Sequence, residues 1–276
     1  MRNMDTIQKA LIEFRKLIES SINSEGTKGK TAMIRSCKPI LNLHEAVKIS
    51  LINNKVNADL IFPPLTQRKP ELKLAGSLKK KDQDVCVTPN NTKKRKETLS
   101  EGLLQGDVDN FGQQFTEETL TINVRSQISS IQKNFDTLYE RTVMEAQNLH
   151  ERCPKMVLGE VYLLAVPEYS DKAVKKKKCE FNPVKPKLVE KYIKSFKAIT
   201  GRTDISRKFY QYEATCLLIV DFSKKTPKIY STTAELKKAG FLPHDSTITY
   251  EGLDWSSFTS KILKIYNTRF GAGKLI

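Results

Sequence analysis

The sequence predicts one α/β domain built on a mixed central sheet that helices flank. Two nearly continuous apolar runs, residues 156–166 and 214–222, are typical of strands covered on both faces. Segments with apolar residues at helical spacing alternate with these runs, which favours helices on both sides of the sheet. A chain of 276 residues with 39% hydrophobic residues can bury a large core. We therefore expect a single three-layered domain over residues 1–276.

The first part of the chain, residues 1–60, is predicted to be helical. Apolar residues recur at helical spacing in 1–20 and in 41–54, whereas 23–30 holds two glycines and two lysines and predicts a loop. Three prolines between 61 and 81 predict irregular or edge structure. A short strand is expected at 82–89, and the polar segment 90–117 is expected to be an exposed loop.

The period of the apolar pattern changes within 119–149. Residues 119–127 alternate apolar and polar side chains, which predicts a strand, and 128–149 has the spacing of a long helix. The two buried strands are expected on either side of a helix at 187–199. Residues 227–232 predict an edge strand, 233–240 a helix that Gly240 ends, and 255–270 a closing amphipathic helix.

The charge of the chain indicates the class of its partner. Lys and Arg number 47 against 31 Asp and Glu, which gives a net charge of +16. This surplus favours nucleic acid, because neutralising phosphates releases counterions, and an anionic membrane surface is the rival interpretation. The longest apolar run is too short to cross a bilayer, and the charged first residues predict no signal peptide. We expect a cytoplasmic protein without a membrane partner.

The cysteines and histidines do not predict a metal site. Five scattered cysteines lack C-x-x-C spacing, and the three histidines are far apart in the sequence. Reduced thiols are the simplest interpretation in a cytosolic protein. This pattern argues against a zinc ribbon, a redox motif and a histidine-based metal or nucleophile scheme, although residues far apart in the sequence can meet in a fold.

Polar side chains cluster where the strand at 119–127 runs into the following helix. Asn123, Arg125 and Gln127 have the spacing that puts them on one strand face, and Asp84 lies on the preceding strand. A carboxylate can hold Mg²⁺ against a phosphate, and a cation can stabilise the charge that develops there. An acid followed by a polar-x-cationic pair on the next strand indicates a metal-dependent nuclease.

Three segments, "LKKKDQDVCVTP", "LTINVRSQISSIQKNFDTLYERTVMEAQNL" and "MVLGEVYLLAV", resemble the type II restriction endonucleases of the PD-(D/E)XK nuclease superfamily. In that family a metal-binding Asp begins the core, a Glu/Asp-x-Lys strand follows, and the next helix leads into a buried strand. The resemblance implies a restriction-endonuclease-like core with Mg²⁺ as cofactor. It implies catalytic roles for Asp84, Asn123 and Arg125, with Asn123 in place of the acid and Arg125 in place of the Lys.

Both departures from the family pattern bear on the chemistry. Asn123 offers a metal an oxygen but no charge, and Arg125 stays protonated, so it can bind phosphate but cannot act as a base. The missing carboxylate could come from Glu118, at the start of the same strand, or from Glu45 on the second helix. The expected metal ligands are Asp84, Asn123 and Glu118.

Each candidate also has an interpretation without chemistry. Asp84 can be an ordinary strand-end acid, and the row of Asn123, Arg125 and Gln127 can face solvent or read base edges without cutting. Glu160, inside an apolar strand, is a reserve metal ligand because burying a lone carboxylate is costly. Its other interpretation is a buried partner for an arginine such as Arg141.

Lysine-rich runs flank the proposed core. Any one of them is also what a solvated surface shows, but three together favour contacts to DNA phosphates. The residues assigned to DNA binding are Gln127, Lys79, Lys80, Lys81, Lys93, Lys94, Arg95, Lys175, Lys176 and Lys177.

The sequence thus predicts a Mg²⁺-dependent type II restriction endonuclease that cuts specific double-stranded DNA in a bacterial or archaeal cell. A homodimer is expected, because two-fold protein symmetry suits palindromic sites. The alternative is a non-catalytic, sequence-specific DNA-binding protein with a nuclease-like fold. A weaker third interpretation, an RNA-binding protein, lacks the aromatic strand typical of RNA-recognition modules.

Overall fold

A computed structural model describes the backbone of residues 2–276 and the side chains from residue 5 onward, so Met1 of the first expected helix lies outside the described residues. The helices are α1 (Arg2–Arg35), α2 (Lys38–Asn53), α3 (Gln113–Glu118), α4 (Phe135–Arg152), α5 (Asp171–Lys175), α6 (Pro186–Ala198), α7 (Thr233–Lys238) and α8 (Trp255–Phe270). The strands are β1 (Ile61–Phe62), β2 (Lys73–Ala75), β3 (Lys80–Asp82), β4 (Val85–Val87), β5 (Glu97–Thr98), β6 (Val108–Asp109), β7 (Leu120–Gln127), β8 (Leu158–Ala165), β9 (Glu168–Tyr169), β10 (Phe181–Asn182), β11 (Ala214–Asp221) and β12 (Lys228–Ile229).

Six of these strands form a mixed central sheet in the order β1-β4-β7-β8-β11-β12. The central strands β7, β8 and β11 are parallel, and α4 and α6 lie in the connections between them. On the two sides, β4 and β12 pair antiparallel with their neighbours, and β1 completes one edge. The prediction of a mixed central sheet flanked by helices is confirmed.

Two apolar layers enclose the sheet. The inward sides of α1, α2 and α8 pack on one face, and α4 and α6 pack on the other. Every residue of β8 and β11 is buried, as expected for strands covered on both sides. The helix α8 approaches β8 so closely that a Cβ atom at Gly159 would lie 2.6 Å from Ile262 and 2.9 Å from Phe258.

The expected loop at 23–30 is wrong, because α1 continues through it. The helix bends at Gly26, whose φ is 59°, and then continues to its end at Arg35. Tertiary packing overrides the weak helical propensity of the two glycines. A Cβ atom at Gly29 would lie 2.1 Å from the backbone oxygen of Ser21, so only glycine fits at this point of the helix.

The expected helix at 128–149 begins later, at Phe135. The side chain of Gln127 donates hydrogen bonds to the carbonyl oxygens of Ser130 and Ile131, and Ser130 is left-handed with a φ of 54°. These contacts hold 128–134 as a loop, although its apolar spacing continues that of the helix.

The segment 90–117 is not simply an exposed loop. It contains the β5–β6 hairpin and α3, and the hairpin is fixed by Arg152, whose guanidinium lies 2.8 Å from the buried carboxylate of Asp109. The strand expected at 82–89 is shorter than predicted, and it covers only Val85–Val87. No helix in the described part of the chain is both long and apolar enough to span a bilayer.

Candidate nuclease-like site

Four polar residues form one row across the central sheet. Asn123 is the registered partner of Glu160, and Glu160 is that of Thr215. The β4–β7 register, continued by one position, places Asp84 beside Asn123. Adjacent strands lie about 4.8 Å apart, so Asn123 stands between two carboxylate residues whose Cα atoms are roughly 10 Å apart. This row lies on the face of the sheet that α4 and α6 cover.

Asp84 joins the beginning of β4 to the middle of β7. Its Oδ2 accepts a hydrogen bond of 2.8 Å from the backbone N–H of Val124, and the residue is half-buried. His44 of α2 is close enough to interact with this carboxylate electrostatically. Burial lowers the pKa of His44, and the charge of Asp84 only partly opposes this effect. Asp84 is therefore held in place by the backbone of the strand that carries Asn123 and Arg125.

Arg125 connects the sheet to α4 through a network of charged groups. Its Nη1 lies 2.5 Å from Oε2 of Glu160 and donates to the hydroxyl of Thr142 at 3.2 Å. Its Nη2 donates to Glu145, which also pairs with Lys81. The side chain of Arg125 is 17% exposed, and that of Glu160 is fully buried. We call Lys81, Arg125, Glu145 and Glu160 the Arg125 network.

The charges of the Arg125 network shift one another's pKa values. Burial raises the pKa of Glu160 to about 7; Arg125 opposes this rise, and the negative charge of Glu145 adds to it. Burial would also raise the pKa of Glu145, but the positive charges of Arg125 and Lys81 outweigh it and lower that pKa. Burial lowers the pKa of Arg125, but the combined interactions with Glu160, Tyr212 and Glu145 outweigh it, so this pKa is raised. Arg125 is thus a permanent cation beside a carboxyl group that titrates near neutral pH.

Three members of the row carry buried oxygens that lack an aligned hydrogen-bond partner. These are Oδ1 of Asn123, Oγ1 of Thr215 and Oε1 of Glu160, whereas Oε2 of Glu160 is paired with Nη1 of Arg125 at 2.5 Å. Buried polar atoms of this kind are rare and call for an explanation. Carboxylate and amide oxygens are the ligands that Mg²⁺ takes, so the donors of the row fit this ion chemically. However, no group of three or more His, Cys, Asp or Glu residues among residues 2–276 is arranged to hold a metal ion.

Gln127, expected to contact DNA, is buried in the interior. Its amide oxygen accepts hydrogen bonds from Tyr162 and Tyr192 at 2.6 and 2.5 Å, and its amide nitrogen donates to the loop that follows β7. The side chain fixes that loop, and in this arrangement it does not face a ligand.

The two carboxylates expected to replace the missing acid lie outside the row. Glu118 is the last residue of α3 and not part of the strand, and it accepts hydrogen bonds from Thr92 and Lys274 at 2.6 and 2.5 Å. Glu45 accepts from Lys48 at 2.6 Å and from the backbone N–H of Thr66 at 2.8 Å. The placement of Glu118 at the start of the strand is therefore wrong. Glu160, the reserve candidate, is the acid that the fold sets beside Asn123.

The basic runs occupy different environments. In the first run Lys81 pairs with Glu145, Lys80 lies 2.8 Å from Asp107, and Lys79 is exposed. In the second run the Lys94 ammonium stands over two phenylalanine rings, while Lys93 and Arg95 line a cavity of about 320 Å³ that also contains two glutamates. The third run, Lys175, Lys176 and Lys177, is exposed at the end of α5.

The sequence did not identify Glu145 as a member of the site. A polar stripe of Thr142, Glu145 and Asn148 follows helical spacing on the buried side of α4, and this stripe is the signal that could have found it. Glu160 pairs with an arginine, as the interpretation without metal binding predicted. The partner is Arg125 and not Arg141, which is exposed.

No family model, no curated protein and no solved structure matches the chain. The chemistry of the row and of the Arg125 network is therefore the basis for a functional assignment.

Proposed function

We propose that the protein is a Mg²⁺-dependent type II restriction endonuclease that hydrolyses double-stranded DNA, and that Glu160 supplies the carboxylate absent at position 123. The observation that carries the proposal is the row of Asp84, Asn123 and Glu160, in which Oδ1 of Asn123 and Oε1 of Glu160 are buried without a hydrogen-bond donor. The order of these residues and elements along the chain also supports the nuclease proposal. An acid precedes β4, the pair Asn123 and Arg125 lies on β7, and α4 leads into the buried β8, as the resemblance implies.

In this proposal Asp84, Asn123 and Glu160 hold the metal ion. When bound, Mg²⁺ supplies a Lewis acid that polarises the phosphate and lowers the pKa of a coordinated water. Arg125 remains protonated throughout, so it can balance the carboxylates before substrate binds and stabilise negative charge on the phosphate afterwards. Glu160 must be ionised to bind a cation, so metal affinity should rise as the pH passes about 7.

A specific observation favours the alternative, a DNA-binding protein without catalysis. Arg125 already pairs with Glu145 and Glu160, which leaves a closed network of opposite charges beneath α4. In this alternative the network stabilises the fold, and the basic surface alone binds DNA. The net charge of +16 suits both functions.

Plasmid cleavage tests the proposal directly. Purified protein is incubated with plasmid DNA of mixed sequence in Mg²⁺ and in chelator, and discrete fragments are expected with Mg²⁺ only. Asp84→Asn and Glu160→Gln should abolish cutting while leaving DNA binding in chelator largely intact. Glu118→Gln is the matched control, since that carboxylate lies outside the row, and it should cut normally. Cutting by all three variants would overturn the assignment.

Asn123→Asp separates the two functions. The new carboxylate would stand between Asp84 and Glu160, so the nuclease proposal predicts that Mg²⁺ stabilises this variant against heat more than it stabilises the wild type. The non-catalytic alternative predicts a destabilised variant that Mg²⁺ does not stabilise. No cutting by the wild type with any divalent metal, together with salt-sensitive DNA binding, would select the alternative.

A further inference from the structure

A basic cavity lies beyond the carboxyl end of β7, apart from the row. It measures about 410 Å³ and is bounded by the last turns of α1, the loop after β7 and the short helix α5. Lys30, Arg35 and Lys175 line it, and Asp171 is the only acidic residue in its lining. Hydroxyl groups from α1 and from the loop after β7 complete the wall. The cavity is thus positively charged and rich in hydrogen-bond donors.

Lys30 is unusual among these cations because it is buried, with 6% of its surface exposed. Its ammonium donates to Oδ1 of Asp171 at 2.8 Å and to the hydroxyl of Ser129 at 3.3 Å. An ammonium has three N–H donors, so these contacts use two of them. Burying this charge is costly, whereas the carboxylate of Asp171 that balances it is 63% exposed. Lys30 is therefore held in place on the cavity wall by a partner that faces solvent.

The loop after β7 forms one wall of the cavity, and hydrogen bonds from the protein interior hold it in place. Gln127 donates to the carbonyl oxygens of Ser130 and Ile131, and Ser130 adopts a left-handed conformation. Since the two tyrosines hold the Gln127 amide in turn, the backbone of this loop is fixed from the protein interior. Gln127 therefore supports one wall of the cavity, although its own side chain is buried.

We propose that this cavity binds a phosphate group of the DNA backbone. Three cations and several hydroxyl donors around one concave site suit a tetrahedral dianion or a phosphodiester, which accepts hydrogen bonds on all its free oxygens. Phosphate contacts of this kind fix the position of a duplex without reading its sequence. The choice of DNA as the source of the phosphate depends on the proposed function, whereas the phosphate chemistry of the cavity does not.

The spacing along the chain suits one duplex across both sites. Ser129 follows Arg125 by four residues, which is at most about 14 Å of extended chain. This upper limit is about four base-pair rises of 3.4 Å. The chain length therefore permits one duplex to reach both Arg125 and the cavity.

The salt dependence of DNA binding in chelator tests this inference without requiring cleavage. Binding of a fluorescent duplex is measured over a series of NaCl concentrations for the wild type, Lys30→Met and Lys175→Ala. Each lost phosphate contact should reduce the slope of log K against log salt by about 0.9, so a fourfold rise in salt weakens binding roughly 3.5-fold less than in the wild type. Because Lys30 is buried, thermal melting checks its variant, and the exposed Lys175 keeps the test valid if Lys30→Met unfolds.

Lys9→Ala is the matched control. Lys9 is an exposed lysine on the same helix, about 25 Å before the bend at Gly26, and its replacement should leave the slope unchanged. Equal slopes for the wild type, Lys30→Met and Lys175→Ala would overturn the inference. Titration with inorganic phosphate distinguishes the sources: if it binds the wild type, and Lys30→Met abolishes this without changing the DNA slope, the cavity is a site for free phosphate and the DNA assignment is wrong.

The outcomes for the two proposals are separable. If the slope of log K against log salt is reduced in both cavity variants while the wild type never cuts DNA, the phosphate site is supported and the nuclease assignment fails. If the wild type cuts but the slopes are equal, the nuclease assignment holds and the cavity has no role in binding DNA.

Discussion

Replacing Arg125 with Met tests whether the Arg125 network is a buried set of mutually compensating charges. Met keeps an unbranched side chain of similar length but removes the guanidinium. Glu145 retains Lys81 as a partner, whereas Glu160, which is fully buried, loses its only cation. The variant therefore leaves one carboxyl group in the interior without a partner of opposite charge.

The pKa of Glu160 makes the cost of this change depend on pH. At pH 8, about one unit above the value of about 7, the wild-type carboxyl is mostly ionised, whereas in the variant it has lost its partner and takes up a proton, which costs about 1.4 kcal/mol for each pH unit above 7. At pH 5 the same carboxyl is already neutral, so the variant loses only the contacts of Arg125 with Glu145 and Thr142, about 1–2 kcal/mol. We expect a loss about 1.4 kcal/mol larger at pH 8 than at pH 5, because protonation of Glu160 in the variant sets this limit.

Urea unfolding at both pH values measures these losses. The double variant Arg125→Met with Glu160→Gln is the internal control, because a neutral amide at 160 has no charge left to compensate. At pH 8 this double variant should regain most of the additional free energy of unfolding that Arg125→Met loses. Its own loss of unfolding free energy should depend little on pH. An equal loss at the two pH values, or no recovery in the double variant, would refute the buried network.

Three further predictions concern single residues. Gln127→Leu leaves the buried Tyr162 hydroxyl without its acceptor and removes the hydrogen bonds to the loop after β7, whereas Tyr192 keeps the carbonyl oxygen of Ile131 at 3.1 Å. This substitution should lower the free energy of unfolding by about 2 kcal/mol in urea, and an unchanged value would contradict the role of Gln127 in fixing the loop. For Glu160, whose pKa rises from an ordinary 4.5 to about 7 on folding, the stabilising effect of the protonated group is complete below pH 4.5 and is lost as the pH rises through 7. The stability of the wild type relative to Glu160→Gln should therefore fall by about 3 kcal/mol across this range and then level off, as pH-dependent urea unfolding can show. Gly159→Ala pushes a methyl group against Ile262 and Phe258 and should cost about 1–3 kcal/mol in thermal or urea unfolding, and a neutral result would mean that α8 packs less closely on β8.

The parts of the fold that the sequence predicted correctly depend on local patterns. The apolar runs of β8 and β11 and the amphipathic spacing of α6 and α8 identify these elements without knowledge of their neighbours. The errors arise where one long-range contact decides the local structure. Gln127 holds the residues after β7 as a loop, and packing extends α1 through its two glycines.

Some residues of the candidate site were predictable from the sequence, but the assembly of the site was not. The sequence indicates Asp84, Asn123 and Arg125 as candidates, because residues 119–127 alternate polar and apolar side chains and an acidic residue lies on the preceding strand. That Glu160 lies beside Asn123 depends on how β7 and β8 pair across the α4 crossover, and no local pattern fixes that register. Glu145 lies on a helix among other polar residues, so its contact with Arg125 becomes evident only when α4 is packed on the sheet.

The two departures from the family pattern are physically linked. An acid at 123 would form a line of three carboxylates on adjacent strands, and two charges about 5 Å apart repel by about 3 kcal/mol at an effective dielectric constant of 20. The neutral amide of Asn123 avoids this repulsion when no cation is bound. Arg125 complements the neutral Asn123, because its guanidinium contacts Glu145, Glu160 and Thr142 at once. The single ammonium of a lysine could not make these three contacts with the same geometry. The amide and the arginine together let the row fold without a metal ion, so in the nuclease proposal Mg²⁺ is required for the chemistry and not for the fold.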